Sequence, residues 1–462
     1  MKRRSFIQHS SIAGIGLAGF VSVSSCSVFK RNYPYQSLMH PGYGPLQPDP
    51  DGIIDLPQGF TYKVISRSGD IMDDGFLVPG MLDGMGAFKS SNDNIIVIRN
   101  HELSPGHIEI GAFSEDSASI NNIPREKYYD FGRGHAQCMG GTTTFIYNPK
   151  TMEVEEEYLS LIGTMRNCSG GVTPWNTWLS CEEDVSVPNE GFEKYHGYIF
   201  EIPATGTPGL IDPVPLKAMG RFNHEAVSVH PETGIIYQTE DRDESLFYRF
   251  VPNQYGDLSK GGKLQALCLK AHPQFETRNW ESNKMKIGEK YEVEWVDLED
   301  VDRMVDDLRY RGYAKGAAIF ARGEGCYYSK GLTYFTCTSG GKKKLGQMFK
   351  YTPSSLEGNH NENDVPATLE LFLEPNNERL MRNCDNFTAS AHGDLIVCED
   401  RIDSRLIGIT MEGEIYEFAH IVGHRSELTG VTFSPDGNTM FVNIQSPGLT
   451  LAITGPWSLR KA

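Results

Sequence analysis

The chain has 462 residues, of which 60 are acidic and 43 basic, giving a formal net charge of −17. That surplus of acid disfavours a nucleic-acid partner and favours cations. The nine cysteines follow neither a CxxC zinc spacing nor a compact disulfide framework, and several fall in apolar runs where a buried free thiol is expected.

At the start of the chain, Lys2-Arg3-Arg4-Ser5-Phe6-Ile7 and the apolar run from Ser11 to Ser25 form the basic and apolar regions of an export signal over residues 1–25. The twin arginines with Phe6 and Ile7 resemble a Tat signal. That pathway carries folded proteins, often with a cofactor already bound, so the Tat export machinery is an expected partner. Val23-Ser24-Ser25-Cys26 resembles a lipobox, which makes Cys26 the expected site of lipidation. The apolar run falls short of the roughly 20 residues a membrane helix needs, and no later segment approaches that length. The expected product is exported, periplasmic or at the cell surface, and lipid-anchored to the membrane. Residues 26–50, rich in Pro, Tyr and Gly, read as a linker, and residues 51–462 as a single domain.

Beyond the linker, short β-branched or aromatic runs alternate with Gly, Pro, Asn and Asp, an all-β texture. One unit recurs six times: a turn, then a strand ending in polar residues. The copies close on His101-Glu102, Glu182-Glu183, Glu240-Asp241, Thr336-Cys337, Glu399-Asp400 and Val442-Asn443. A second polar residue precedes most turns, as Asp83, Cys168, Glu225, Glu324 and Asp385. If each copy is a strand pair of one blade, these residues gather around a common axis. The prediction is an all-β, six-bladed β-propeller with long loops, a metal-binding mouth, and short helical insertions around 124–129 and 297–309.

Several constellations bear on chemistry. Cys168 stands beside Gly170-Gly171, where backbones can approach closely, and is either a thiolate metal ligand or a buried structural cysteine. Glu225 lies at one end of a hairpin and Glu240-Asp241 at the other. Carboxylates so placed suit hard cations such as calcium or ferric iron, and Glu182-Glu183 repeats the pattern. Arg322 and Glu324 alternate, so an extended segment puts both on one face, able to hold a phosphate oxygen and a metal or to form a plain ion pair. Asp385-Asn386 supplies a further acid or an Asx-turn. No G-x-S-x-G elbow supports serine catalysis.

Together, Asp83-Gly84-Met85-Gly86, Arg99-Asn100-His101-Glu102, the stretch from Asn167 to Glu183, His224-Glu225-Ala226, Arg322-Gly323-Glu324-Gly325, Asp385-Asn386 and Phe433-Ser434-Pro435-Asp436-Gly437 resemble the PhoX-type alkaline phosphatases, nearly from end to end. The resemblance implies an exported, metal-dependent phosphoric ester hydrolase acting on small-molecule phosphate esters with iron and calcium as cofactors. It implies Cys168, Glu225, Glu324 and Asp385 as metal ligands and Arg322 as the catalytic phosphate clamp. Glu182, Glu183, Glu240 and Asp241 become candidate calcium ligands. Gly325-Cys326-Tyr327-Tyr328 carries no second acid after Glu324, a departure that concerns one ligand. Two other readings are kept: a calcium-dependent lactonase-like hydrolase, and a non-catalytic metal-binding envelope lipoprotein.

Overall fold

The computed structural model describes residues 40–113, 120, 122–134 and 137–460. The export signal and Cys26 lie outside the described residues.

All six recurrent segments are strands: Ile95–His101, Thr177–Glu182, Ile236–Glu240, Leu332–Cys337, Leu395–Glu399 and Thr439–Ile444. Each pairs antiparallel with the strand before it in the chain, respectively Leu82–Lys89, Asn167–Val172, His224–Val229, Gly323–Ser329, Cys384–Ala389 and Leu428–Phe433. These earlier strands are the inner ones. Each packs on the next, and Leu428–Phe433 returns to Leu82–Lys89, so they ring an axis. Further strands add outward to form sheets of three, four, four, six and nine strands, a propeller-like all-β arrangement. The nine-stranded sheet arises because Lys290–Asp297 pairs with Gly262–Leu269 on one side and Ala367–Leu373 on the other.

The ring is closed by pairing rather than by a covalent link. Thr61–Arg67, near the start of the described chain, pairs with Leu449–Thr454 near its end, which removes a free sheet edge. Arg99 pins this closure from inside. Its guanidinium donates to Thr450 Oγ1 at 2.6 Å and to Glu157 Oε1 at 2.7 Å. Aromatic rings pack in the core, as Phe247 on Phe335 with ring centroids 4.0 Å apart, and Phe60 edge-on to Trp457 at 4.7 Å.

Two local expectations change. Residues 40–50 pack onto the fold instead of trailing as linker: Leu46–Gln47 pairs with Ile54–Pro57, which pairs with Ile415–Ile421. The helical pattern over 297–309 is overridden because Asp297 ends a strand held between two others, and the one α-helix among the described residues runs over Leu308–Ala314. Around residue 125 the insertion is a 3-10 turn, Arg125–Lys127. Among the described residues no helix is long and apolar enough to cross a membrane.

Candidate active site

Five inner strands begin the same way. Between Leu82 and Met85, Asn167 and Gly170, His224 and Val227, Gly323 and Cys326, and Cys384 and Phe387, three steps on the inner strand oppose two on its partner. This is a β-bulge, which re-aims a side chain that a regular pleat would turn elsewhere. The residue re-aimed is the second of each strand: Asp83, Cys168, Glu225, Glu324 and Asp385. The sixth inner strand carries the same bulge one residue later, between Thr429 and Thr432, so the matching position is Gly430, while the Thr429 hydroxyl donates to Leu82 O at 2.7 Å. The bulges crowd together at the axis. A Cβ on Gly84 would come within 2.6 Å of Ser169 Cα, and one on Gly325 within 2.9 Å of Asn386 Cα. Glycine is required where the backbones approach so closely.

The partner strands deliver the second tier. Because successive side chains point to opposite faces, each acid pair at a strand end is split. Glu183, Asp241 and Asp400 turn into the same cavity as the bulge residues, as does Glu102 after His101. Their neighbours turn into the protein. Glu182 accepts from Met165, Gly197 and Tyr198 amides at 3.0, 2.9 and 3.2 Å. Glu240 accepts from Tyr248 Oη at 2.8 Å and pairs with Arg309 at 3.3 Å. Glu399 is held by Arg382 at 2.9 Å and Arg405 at 2.6 Å. The structure therefore brings Cys168, Glu183, Glu225, Asp241, Arg322, Glu324 and Asp385 together, and leaves Glu182 and Glu240 outside, each committed to buried partners.

The resulting cavity, about 140 Å3, is lined by nine carboxylates, two guanidiniums and the Cys168 thiol. Two triads within it have donor atoms all within 4.8 Å of one another, Cys168–Glu183–Glu225 and Glu225–Glu324–Asp385. Glu225 belongs to both. Burial, reinforced by mutual repulsion, pushes the carboxyls of Asp83, Glu183, Glu225 and Glu324 well above their usual range. Burial and the charge of Asp400 raise Asp385 to about 8, and burial with Asp385 raises Glu427 to about 9. The Cys168 thiol is pushed up by burial and by Glu225, and donates to His224 O at 3.3 Å. Nine acids facing two bases in so small a space are stable only if protonated or if cations fill it. A thiol beside hard carboxylates fits a transition metal together with calcium-like ions.

Arg322 precedes the inner strand Gly323–Ser329 at φ +53°. It forks onto Asp241, with Nε 2.7 Å from Oδ1 and Nη2 3.0 Å from Oδ2, while Nη2 also donates to Glu324 at 2.9 Å. Its Nη1 lies 3.5 Å from Asp400. Arg166 occupies the matching place before Asn167–Val172, at φ +46°, and donates to Glu102 at 2.8 Å and to Glu183. The sequence pattern placed Asp83, Glu102 and Asp400 in the recurrent units without naming them as ligands, and gave no role to Arg166 or Glu427. The repeats contain the signal for the first four. Glu427 stands just before the last inner strand, but the bulge there puts Gly430 where the other five strands carry an acid or a thiol, so nothing in the repeat marks it.

An acid-lined, thiol-bearing cavity at the axis of an all-β propeller-like ring defines a metal-binding enzyme centre. The chain matches the family model described as "Alkaline phosphatase PhoX" over residues 41–448. It belongs to the PhoX alkaline phosphatase family and is a phosphatase, a phosphoric ester hydrolase. Among solved structures, it is similar to Pseudomonas fluorescens PhoX in complex with vanadate, a transition state analogue, at 17% identity and a TM-score of 0.62, covering 87% of this chain and 96% of that one. A gluconolactonase, XC5397 from Xanthomonas campestris, aligns at 12% identity and a TM-score of 0.41, covering 85% and 98%. A luciferin-regenerating enzyme aligns at 11% and 0.38, covering 87% and 97%. The last two superpose too loosely to carry an argument. No curated protein sequence matches the chain.

Proposed function

We propose that this phosphatase hydrolyses small phosphate esters outside the cytoplasm at a centre of iron and calcium. The observation that carries the reading is Glu225, whose carboxylate is shared by a thiol-containing triad and an all-acid triad, with Arg322 in the same cavity. Cys168, Glu183 and Glu225 would hold one ion and Glu225, Glu324 and Asp385 a second, the thiolate favouring iron and the remaining acids calcium. Bound there, cations would offset the charge of the phosphoryl oxygens and of the transition state. The chain's own part is orientation. Asp241 and Glu324 fix Nε and Nη2 of Arg322, which leaves Nη1 to turn from Asp400 to a phosphoryl oxygen. Glu102 and Glu183 hold Arg166 at the other guanidinium position.

The proposal includes six blades, counting the nine-stranded sheet as two joined at Lys290–Asp297, in one domain that takes residues 40–50 together with 51–462. It also includes export through the Tat machinery by residues 1–25 and a periplasmic or surface location anchored at Cys26. Fractionation of wild type and Cys26→Ala tests the anchor: the variant should leave the membrane fraction, and an unchanged distribution would remove the lipid from the account.

The function itself is tested with a chromogenic phosphomonoester, first with iron and calcium present and then after chelation. Turnover should vanish on chelation and return when both metals are restored. Fully metal-loaded protein that turns over neither mono- nor diesters would end the reading. A calcium-only protein that opens lactones would replace it with the lactonase. If Cys168→Ser and Arg322→Ala left every activity unchanged, a non-catalytic envelope protein would take its place.

A further inference from the structure

Glu182, which the strand pleat turns away from the cavity, leads to a separate cluster. Its Oε1 lies 2.7 Å from Nδ1 of His196. The other ring nitrogen of His196, Nε2, lies 3.2 Å from Asp130 Oδ2 and 3.9 Å from Cys138 Sγ. The donor atoms of Asp130, Cys138 and His196 fall within 4.8 Å of one another. We propose that Asp130, Cys138 and His196 supply three ligands of a second metal site, for zinc, with a water in the fourth position, oriented by Glu182 and distinct from the catalytic cavity.

The donor chemistry selects the metal. One thiolate, one imidazole and one carboxylate are a zinc set, whereas calcium takes oxygen alone. The spacing agrees with a tetrahedral ion. Zinc bond lengths place two ligands at tetrahedral angles about 3.3 Å apart for nitrogen and oxygen and about 3.6 Å apart for nitrogen and sulfur. The distances from Nε2, 3.2 and 3.9 Å, lie close to those edges without any rearrangement.

The supporting shell is the second observation, and it comes from different atoms. Glu182 is fixed by three backbone amides and accepts at Nδ1, so a metal that displaces the proton shared by Nε2 and Asp130 would meet the Nε2 lone pair. This carboxylate–histidine relay is the usual companion of a zinc ligand. Asp130 is oriented in the same manner, by the amides of Gly132, Glu193 and Lys194 at 2.8, 2.9 and 2.8 Å. All three ligands are fully buried, so the site offers nothing to a substrate. A Cys–His–Glu catalytic relay is ruled out by the same burial.

What the ion would do follows from where its ligands sit. Asp130 and Cys138 belong to the segment between the strands Ile95–His101 and Gly140–Asn148. His196 belongs to the segment between Thr177–Glu182 and Ile199–Pro203. Those two segments begin at Glu102 and Glu183, both in the cavity wall. Zinc would staple two long loops beside the mouth, and its binding energy would count toward folding.

The buried position also makes the test specific. A brief EDTA treatment should strip the open catalytic cavity and abolish activity, while elemental analysis still finds one zinc per chain. Cys138→Ser should lose that zinc. If wild type grown with zinc retains none, or if Cys138→Ser retains as much, the site does not exist. Should Cys138→Ser fail to fold, Cys168→Ser protein refolded with cobalt decides. A thiolate-to-cobalt charge-transfer band must persist there, because Cys138 remains, and its absence would overturn the proposal. None of these readouts depends on the phosphatase reading, so either can fail alone.

Discussion

Glu427→Gln tests the electrostatic reasoning at a residue that sequence reasoning missed. Burial and the neighbouring Asp385 raise its carboxyl from 4.5 to about 9 in the cation-free protein. As pH climbs from 5 to 8 the unfolded chain releases this proton and the folded chain keeps it. The unfolded state therefore binds fewer protons, and stability must fall as pH rises. The full shift is worth up to about 4 kcal/mol over that interval, and partial exposure to water reduces it to roughly 2 kcal/mol. Gln cannot ionise. In chelated protein, Glu427→Gln should match wild type at pH 5 within about 1 kcal/mol and exceed it by roughly 2 kcal/mol at pH 8. Saturating calcium should reverse the order, since the lost charge then weakens cation binding. Urea unfolding of both proteins at the two pH values, with chelator and with calcium, measures all four differences. A chelated variant less stable than wild type at pH 8, or a wild type whose cation-free stability is flat from pH 5 to 8, would refute the account of the cavity.

Cys168→Ser should shift or abolish a visible absorption band of native protein, with activity falling in parallel while far-UV circular dichroism is retained. Cys326→Ser and Cys398→Ser should leave the band intact, and a colourless, fully active wild type would remove iron from the proposal. Arg322→Ala should lower kcat/KM for a phosphomonoester by about 10²–10³-fold, the cost of one transition-state donor; a loss under about threefold would free Arg322 of that role. Glu240→Gln should lower the urea stability by about 1–3 kcal/mol, because it removes one charged partner of buried Arg309, which keeps Asp306 at 2.7 Å, yet leave the metal content of the cavity unchanged. A normal urea midpoint with missing metal would return Glu240 to the ligand list.

The all-β class, the six recurrent strands and five axial residues could be read in the chain because each is a local signal. Turn residues punctuate β-branched runs, and a polar residue where packing needs none stands out at Asp83, Cys168, Glu225, Glu324 and Asp385. What one strand does with its own pleat is also local in principle, but its phase is not. Glu182 and Glu183 are the same residue type, adjacent, at the end of the same strand. Only the pairing of Glu182 with Asn167 fixes which one faces the cavity and which one meets His196, and the same holds for Glu240 and Asp241. Register across strands is set by contacts between segments far apart in sequence. Glu427 shows the limit from the other side: its charge acquires meaning from Asp385, 42 positions away and on a different inner strand, and nothing in its own neighbours could announce that. The sequence thus determined what kinds of side chain were available and roughly how often they recur. Ring closure and strand register decided which of them share one small, desolvated space, where like charges must be neutralised together.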